Sequence, residues 1–300
     1  MDTVLDMRDV GVRRGGRTVL HGVTLLVRAG EWVSIFGPNG SGKSLVLTAA
    51  AGRVPLSEGS VHRPRCAGRQ QRPPGLVSDA RLPHLPISVR RLLAWSASLG
   101  GGTPAARSAA VAEAATVMNL HRVRSLPVGR LSAGQRAAVA IGAALCRRPP
   151  ILLLDDLLRT LDAPTRQRLV AHLEQRCADD GMAVLHATVD AEDAARADRV
   201  LMLDEGRQAA LAPPAQLLAS CAADRVVLEA ADPRSTLPTL TGVFDVEVTE
   251  ERGEIAFRAA DGMETAAHIL RRPTGGVRVV RVRPPNLWDA WEALRARTAP

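Results

Sequence analysis

The residues Gly37-Pro38-Asn39-Gly40-Ser41-Gly42-Lys43-Ser44 fit the spacing GxxxxGK[ST]. Glycines so placed let successive backbone N–H groups turn inward as an anion cradle at a helix N-terminus. The lysine ammonium then reaches between phosphates, and the serine hydroxyl offers a ligand to Mg²⁺. The chemistry implied is the holding of a nucleoside triphosphate. Lys43 is the single lysine of a chain whose basic residues number 39, all others being arginine. A compact ammonium on a flexible stem fits between phosphates where a broad guanidinium does not. A second candidate is the apolar run Ile151-Leu152-Leu153-Leu154 closing in Asp155-Asp156. At such a strand end the first carboxylate orients Mg²⁺ and the next polarises an attacking water, although an acidic pair also simply solvates the end of a buried strand.

These groups need elements to hold them. Short alternating segments from Val4 to Trp32, with a turn at Gly15 and Gly16, predict antiparallel strands leading into a strand at Val33 to Phe36. A short helix from Ser44 to Ala51, closed by Gly52, completes the strand–loop–helix context of a phosphate loop. Ser88 to Asn119 is rich in alanine and leucine and predicts helices broken by Gly100, Gly101, Gly102 and Pro104. Ile151 to Leu154 and Ala183 to Leu185 are continuous apolar runs suited to buried parallel strands. Strands alternating with helices predict an α/β core. The domain expected over residues 1–220 holds a helical subdomain at about 86–135, and residues 221–300 form an α+β appendage. In the appendage, strands are expected at Val226 to Leu228, around Val246 and Ile255, and at Val277 to Val282, with helices near Met263 to Leu270 and Asn286 to Arg297.

Composition narrows the functional classes. With 46% hydrophobic residues over 300 positions the chain can bury a large core. Its longest apolar runs fall short of the roughly 20 residues that a membrane-spanning helix needs. The start Met1-Asp2-Thr3-Val4-Leu5-Asp6 is acidic and carries no apolar signal stretch, so a cytoplasmic location is expected. Cys66, Cys146, Cys177 and Cys221 are far apart and form no metal-ligand spacing. The formal charge of +8 is spread over scattered arginines apart from a modest cluster at His62, Arg63, Arg65, Arg69 and Arg72. Such a surplus could suit nucleic acid or an anionic membrane surface, a solvated surface fits equally well, and no nucleic-acid partner is expected.

A third motif carries a resemblance. Leu131-Ser132-Ala133-Gly134-Gln135-Arg136 precedes an alanine-rich helix and resembles the LSGGQ signature of the ABC ATPases, with Leu161-Asp162 standing where that family has its D-loop. Over about residues 3 to 220 the resemblance implies a P-loop NTPase (RecA-like) core with an N-terminal antiparallel β subdomain and a helical subdomain. It also implies ATP and Mg²⁺ as cofactors, with Ser44, Asp155 and Asp79 at the metal. It further implies a head-to-tail dimer, in which Ser132, Gly134 and Gln135 serve a nucleotide held by the phosphate loop of the other subunit. An anion site at the N-terminus of the following helix is physically consistent with that role.

The chain departs from the family at several positions. Asp79 stands for the Q-loop glutamine, Asp156 for the glutamate after Walker B, and Val189 for the switch histidine. No aromatic stands near Arg13 or Arg14 to stack on adenine, although an arginine can stack there through a cation–π contact. His186 is an alternative for the histidine role, and Gln70 or Gln71 for the glutamine. Asp156 is one methylene short of glutamate, and Val189 cannot donate a side-chain hydrogen bond to a phosphate. Nucleotide held and hydrolysed slowly is the expectation.

Without membrane spans, such a subunit requires an integral membrane permease and works peripherally on the inner face of the plasma membrane. The resemblance places docking near Ser88 to Leu92 and Trp95. The segment Arg283 to Trp291 is similar to the C-terminal part of ATPases from bacterial antibiotic, lipid and polysaccharide exporters. A degenerate exporter subunit paired with a second ATPase is therefore expected. The alternatives are a slowly hydrolysing homodimer and a soluble nucleotide-gated regulatory module.

Overall fold

The computed structural model describes residues 2–63, 72–78, 85–219, 224–230, 249–251, 254–259, 261–271 and 277–298. The chain divides into two compact units, Met1–Pro214 and Ala215–Pro300.

The first unit opens with two long antiparallel strands, β1 (Thr3–Arg14) and β2 (Arg17–Arg28). Gly15 and Gly16 join them with positive φ values of 55° and 80°, as a two-residue hairpin turn of the primed type demands. The core strands follow as β3 (Trp32–Phe36), β4 (Glu58–His62), β5 (Gly75–Ser78), β6 (Ile151–Asp155), β7 (Ala183–Thr188), β8 (Arg199–Asp204) and β9 (Arg207–Ala212). All nine form one sheet in the order β4-β1-β2-β9-β8-β3-β7-β6-β5. From β8 to the edge strand β5 the five strands β8, β3, β7, β6 and β5 run parallel, and β3 and β7 are buried at every residue. Burial on both faces explains their largely apolar sequences, interrupted only by Ser34, His186 and Thr188.

Helices cover the parallel region: α1 (Lys43–Ala50), α2 (Val89–Leu99), α3 (Pro104–Val117), α4 (Ala133–Cys146), α5 (Ala163–Asp180) and α6 (Ala191–Ala194). Helices α2, α3 and α4 pack on one another through Leu92, Leu93, Ala114, Met118 and Ile141, which is the helical subdomain that the sequence predicts. Helix starts are capped as their sequences allow: Ser88 accepts from Arg91, Thr103 from Ala106 ahead of Pro104, and Asp162 from Thr165. No described helix is long and apolar enough to cross a membrane.

The second unit begins within α7 (Pro214–Ala219) and contains β10 (Asp224–Ala230), β11 (Thr249–Glu251), β12 (Glu254–Ala259), α8 (Gly262–Arg271), β13 (Val277–Arg283) and α9 (Leu287–Thr298). Its four described strands form an antiparallel sheet in the order β11-β12-β10-β13. Val226, Leu228, Ile255, Phe257 and Ile269 make its core. The strand expected around Val246 lies outside the described residues. In α9, Leu287 and Trp291 are buried and Trp288 meets Trp291 edge-on at 5.8 Å, while Asn286 caps the helix start.

Candidate functional site

The glycine-rich loop leaves the C-terminal end of β3 and enters α1, so it lies beyond the carboxyl ends of the strands, where α/β proteins place ligands. Gly42 heads the helix in the left-handed region, with φ 101°, and gives it no side-chain cap. The first helical N–H groups are thus left for an anion. Gly40 is also left-handed, at φ 84°. Gly37 is required by close approach, since a Cβ there would sit 2.2 Å from the Leu203 carbonyl oxygen. Pro38 and Gly37 turn their carbonyls on Lys43, whose Nζ donates to them over 2.7 Å and 2.8 Å. Ser41 is buried, and its carbonyl accepts from the Gly206 N–H at 2.9 Å, fixing the back of the loop.

Lys43 is itself buried. Burial pushes its ammonium below the usual lysine range, opposed by the charges of Asp156 and Asp155. Ser44 Oγ donates to Asp155 Oδ1 at 2.8 Å, so the two expected metal ligands converge from elements 111 positions apart. A cleft of about 340 Å³ opens between Arg14 and Val19 on one side and Lys43, Ser44, Asp155 and Asp156 on the other, with Asn39 and Gly40 also lining it. Its donor set of an ammonium, uncapped helix N–H groups and a hydroxyl–carboxylate pair fits a triphosphate with one hard cation.

Asp156 follows β6 with φ 52°, a conformation costly for a side chain with a Cβ. Its N–H donates to the Ala187 carbonyl on β7 at 2.8 Å. Burial pushes its carboxyl above the usual range. The charges of Arg159 and Lys43 pull it back, Asp155 raises it, and the Val189 N–H lowers it slightly. Val189, in the bend just past β7, therefore stands beside the carboxylate with only its backbone to offer.

His186 does not take the histidine role. It sits within β7 in register with Ser34 on β3 and Leu154 on β6, is fully buried, and meets Trp32 edge-on at 6.5 Å. Burial, assisted by the charge of Arg166, drives its pKa down to about 3 and keeps the ring neutral. The strand's pleat alternates side chains, so a residue three before Val189 on a buried strand points into the core. Asp79, Gln70 and Gln71 lie outside the described residues, as do Cys66 and Cys221, whereas Cys146 and Cys177 are free and buried.

Ser132, Gly134 and Gln135 do not line the cleft. Ser132 caps α4 in a reciprocal box: its Oγ accepts from the Gln135 N–H at 3.2 Å, and Gln135 Oε1 accepts from the Ser132 N–H at 3.0 Å. Gly134 passes so close to the turn after Asp156 that a Cβ would lie 2.9 Å from the Thr160 carbonyl oxygen. The S-x-x-Q spacing is the signature of that box, which gives Gln135 a structural role beside the one expected of it toward nucleotide. The pairing of Arg159 with Asp156 depends on the geometry of the intervening turn, which no residue spacing announces.

Comparison with known proteins decides the family. The ABC transporter family model matches residues 20–159. The hemin import ATP-binding protein HmuV of Streptomyces coelicolor is 40% identical over 229 residues, covering 69% of this chain and 77% of that protein. The chain belongs to the ABC transporter ATP-binding proteins. Another relative of this family, the aliphatic sulfonates import ATP-binding protein SsuB of Ralstonia nicotianae, is 38% identical and covers 68% of this chain and 71% of its own length. Among solved structures, a dimeric bacterial ABC transporter cassette superposes with TM-score 0.62 at 25% identity, over 70% of this chain and 98% of that one. A dimeric ATP-binding cassette in a post-hydrolysis state, bound to ADP and Pi, matches in fold with the same TM-score at 24% identity, over 70% of this chain and 98% of that one. The α/β ABC ATPase fold expected from the sequence is thus the fold of this cassette.

Proposed function

We propose that this chain is the ATP-binding subunit of an ABC transporter, that it holds Mg²⁺-ATP in its phosphate loop, and that it hydrolyses ATP slowly. The observation that carries the slow step is the juxtaposition of Asp156 and Val189: the shortened carboxylate stands beside a residue whose side chain can neither donate nor accept a proton. Gly37 to Ser44 bind the phosphates, Ser44 and Asp155 hold Mg²⁺ with Asp79 as a third candidate, and Arg14 stacks on the base from the hairpin tip. Asp156 orients water weakly. Bound Mg²⁺-ATP supplies the reacting phosphoryl group and its counter-charge; the chain contributes the cradle, the ammonium and the exclusion of bulk water.

Ser132, Gly134 and Gln135 serve the nucleotide of a second ATPase subunit, a role supported by their position outside this chain's own cleft, with the Ser132–Gln135 box opening to free its N–H groups. In a heterodimer this subunit would complete a competent site while its own turns over rarely. The exposed Trp95 and Leu99, one helical turn apart on α2, support docking to an integral membrane permease, which would place the chain peripherally at the membrane. Export is proposed from the segment Arg283 to Trp291; the named relatives are import proteins, which counts against it.

Two measurements test the reading. Purified chain is expected to bind one ATP and to hydrolyse it far more slowly than Asp156→Glu combined with Val189→His. A normal transporter turnover rate from the unmodified chain alone would sink the slow-site reading. Affinity capture of the full chain from membranes is expected to retain a permease and a second ATPase, and the permease sets the direction of transport.

A further inference from the structure

Asp156 is followed by a tight turn. Leu157, Leu158 and Leu161 are buried and anchor it, and Thr160 closes it by donating from its N–H at 3.1 Å and its hydroxyl at 2.7 Å to the Leu157 carbonyl. The residue this turn holds outward is Arg159, whose side chain is 56% exposed. It reaches back three positions, and its Nη1 lies 3.5 Å from Asp156 Oδ2. The other carboxylate oxygen, Oδ1, is buried. The oxygen that solvent can reach in this cleft is therefore the one facing the guanidinium. A water polarised by Asp156 has to use that same oxygen, because a buried Oδ1 cannot receive it.

We propose that Arg159 is a positioning residue that restrains Asp156, keeping its accessible oxygen engaged and slowing hydrolysis in this chain's own cleft. The inference rests on the proposed assignment of Asp156 as the water-orienting group, and it adds a cause of slow turnover distinct from the short side chain and the missing histidine. The restraint is modest. An ion pair this exposed competes with water, so its release changes a rate severalfold and not by orders of magnitude.

Steady-state ATPase assays on the full chain with saturating Mg²⁺, comparing Arg159→Ala, Arg159→Lys and Arg159→Ala with Asp156→Asn, test it. Arg159→Ala is expected to raise kcat about threefold with KM unchanged. Arg159→Lys, which keeps a cation within reach, is expected to give a smaller rise, and the double variant is expected to lose the gain. A kcat that stays level or falls in Arg159→Ala overturns the proposal, as does a gain that survives Asp156→Asn. ATP binding, measured in parallel by calorimetry, separates the two levels: loss of binding by the unmodified chain would defeat the nucleotide-site reading itself, whereas intact binding with no gain defeats only the role of Arg159.

Discussion

Ser44 Oγ and Asp155 Oδ1 lie 2.8 Å apart, joining the end of the phosphate loop to the end of β6. Both are hard oxygen donors, and their convergence fits one corner of the proposed Mg²⁺ site. Ser44→Ala and Asp155→Asn are each expected to weaken Mg²⁺-ATP binding on the order of 10- to 100-fold. Affinity for ATP in excess chelator should change little, because the phosphate cradle is untouched. Titration calorimetry with and without Mg²⁺ checks the difference; equal losses under both conditions would remove the metal from the argument.

Lys43 is buried and donates to two carbonyls of its own loop at 2.8 Å and 2.7 Å. Lys43→Arg keeps the charge but places a planar fork of five donors in a space shaped for a point charge. ATP affinity should drop by at least about tenfold, nearly as far as in Lys43→Met, which corresponds to 1.4 kcal/mol or more. Calorimetry showing Lys43→Arg equal to the unmodified chain would mean that charge alone suffices.

Gly37→Ala would bring a methyl group to 2.2 Å from the Leu203 carbonyl oxygen, a backbone atom that cannot swing aside. Urea denaturation should show a loss of about 1–3 kcal/mol, and nucleotide binding should fail with it. Gly40→Ala meets no atom within 4 Å and bears only the strain of φ 84°, so its loss should be nearer 1 kcal/mol. Equal losses at both positions would contradict the close-approach argument.

These residues show what the sequence could disclose. The loop, the buried strands β3, β6 and β7 and the helix α1 were legible because each is written in contiguous residues whose pattern has one physical cause. Asp155 could be named for the same reason. What the sequence hid depends on geometry across turns and strands: Arg159 facing Asp156 requires the turn at Leu158, and the placement of His186 in the core requires the pleat of β7. Similarly, the ion pair of Glu31 with Arg199, 2.6 Å apart, joins residues that nothing in the linear order connects. Arg14 at the cleft was expected from the family likeness, and the hairpin turn at Gly15 and Gly16 is what brings it there.

Stability should respond to acid through His186. Burial holds its folded pKa at about 3, against 6.5 for an exposed ring. Below pH 6.5 the unfolded chain takes up a proton that the folded chain refuses. The contribution is therefore present above 6.5 and is lost as the pH falls toward 3. Across that window His186 alone makes unfolding up to about tenfold more favourable per pH unit. His186→Leu fills a similar volume and removes two buried nitrogens that lack hydrogen-bond partners. Denaturant midpoints at pH 7 and pH 5 should diverge less in the variant; the same divergence in both proteins would assign acid sensitivity to other groups.

The near-contact of Gly134 with Thr160 ties the start of α4 to the turn after Asp156. Helix α4 begins one residue after Ser132, and the Thr160 carbonyl presses against the second residue of that helix with no room for a methyl group between them. The start of α4 and the turn that carries Arg159 therefore behave as meshed gear teeth: a push on one is felt by the other within a single van der Waals contact. A side chain at position 134 would therefore push apart the start of α4 and the turn that follows Asp156.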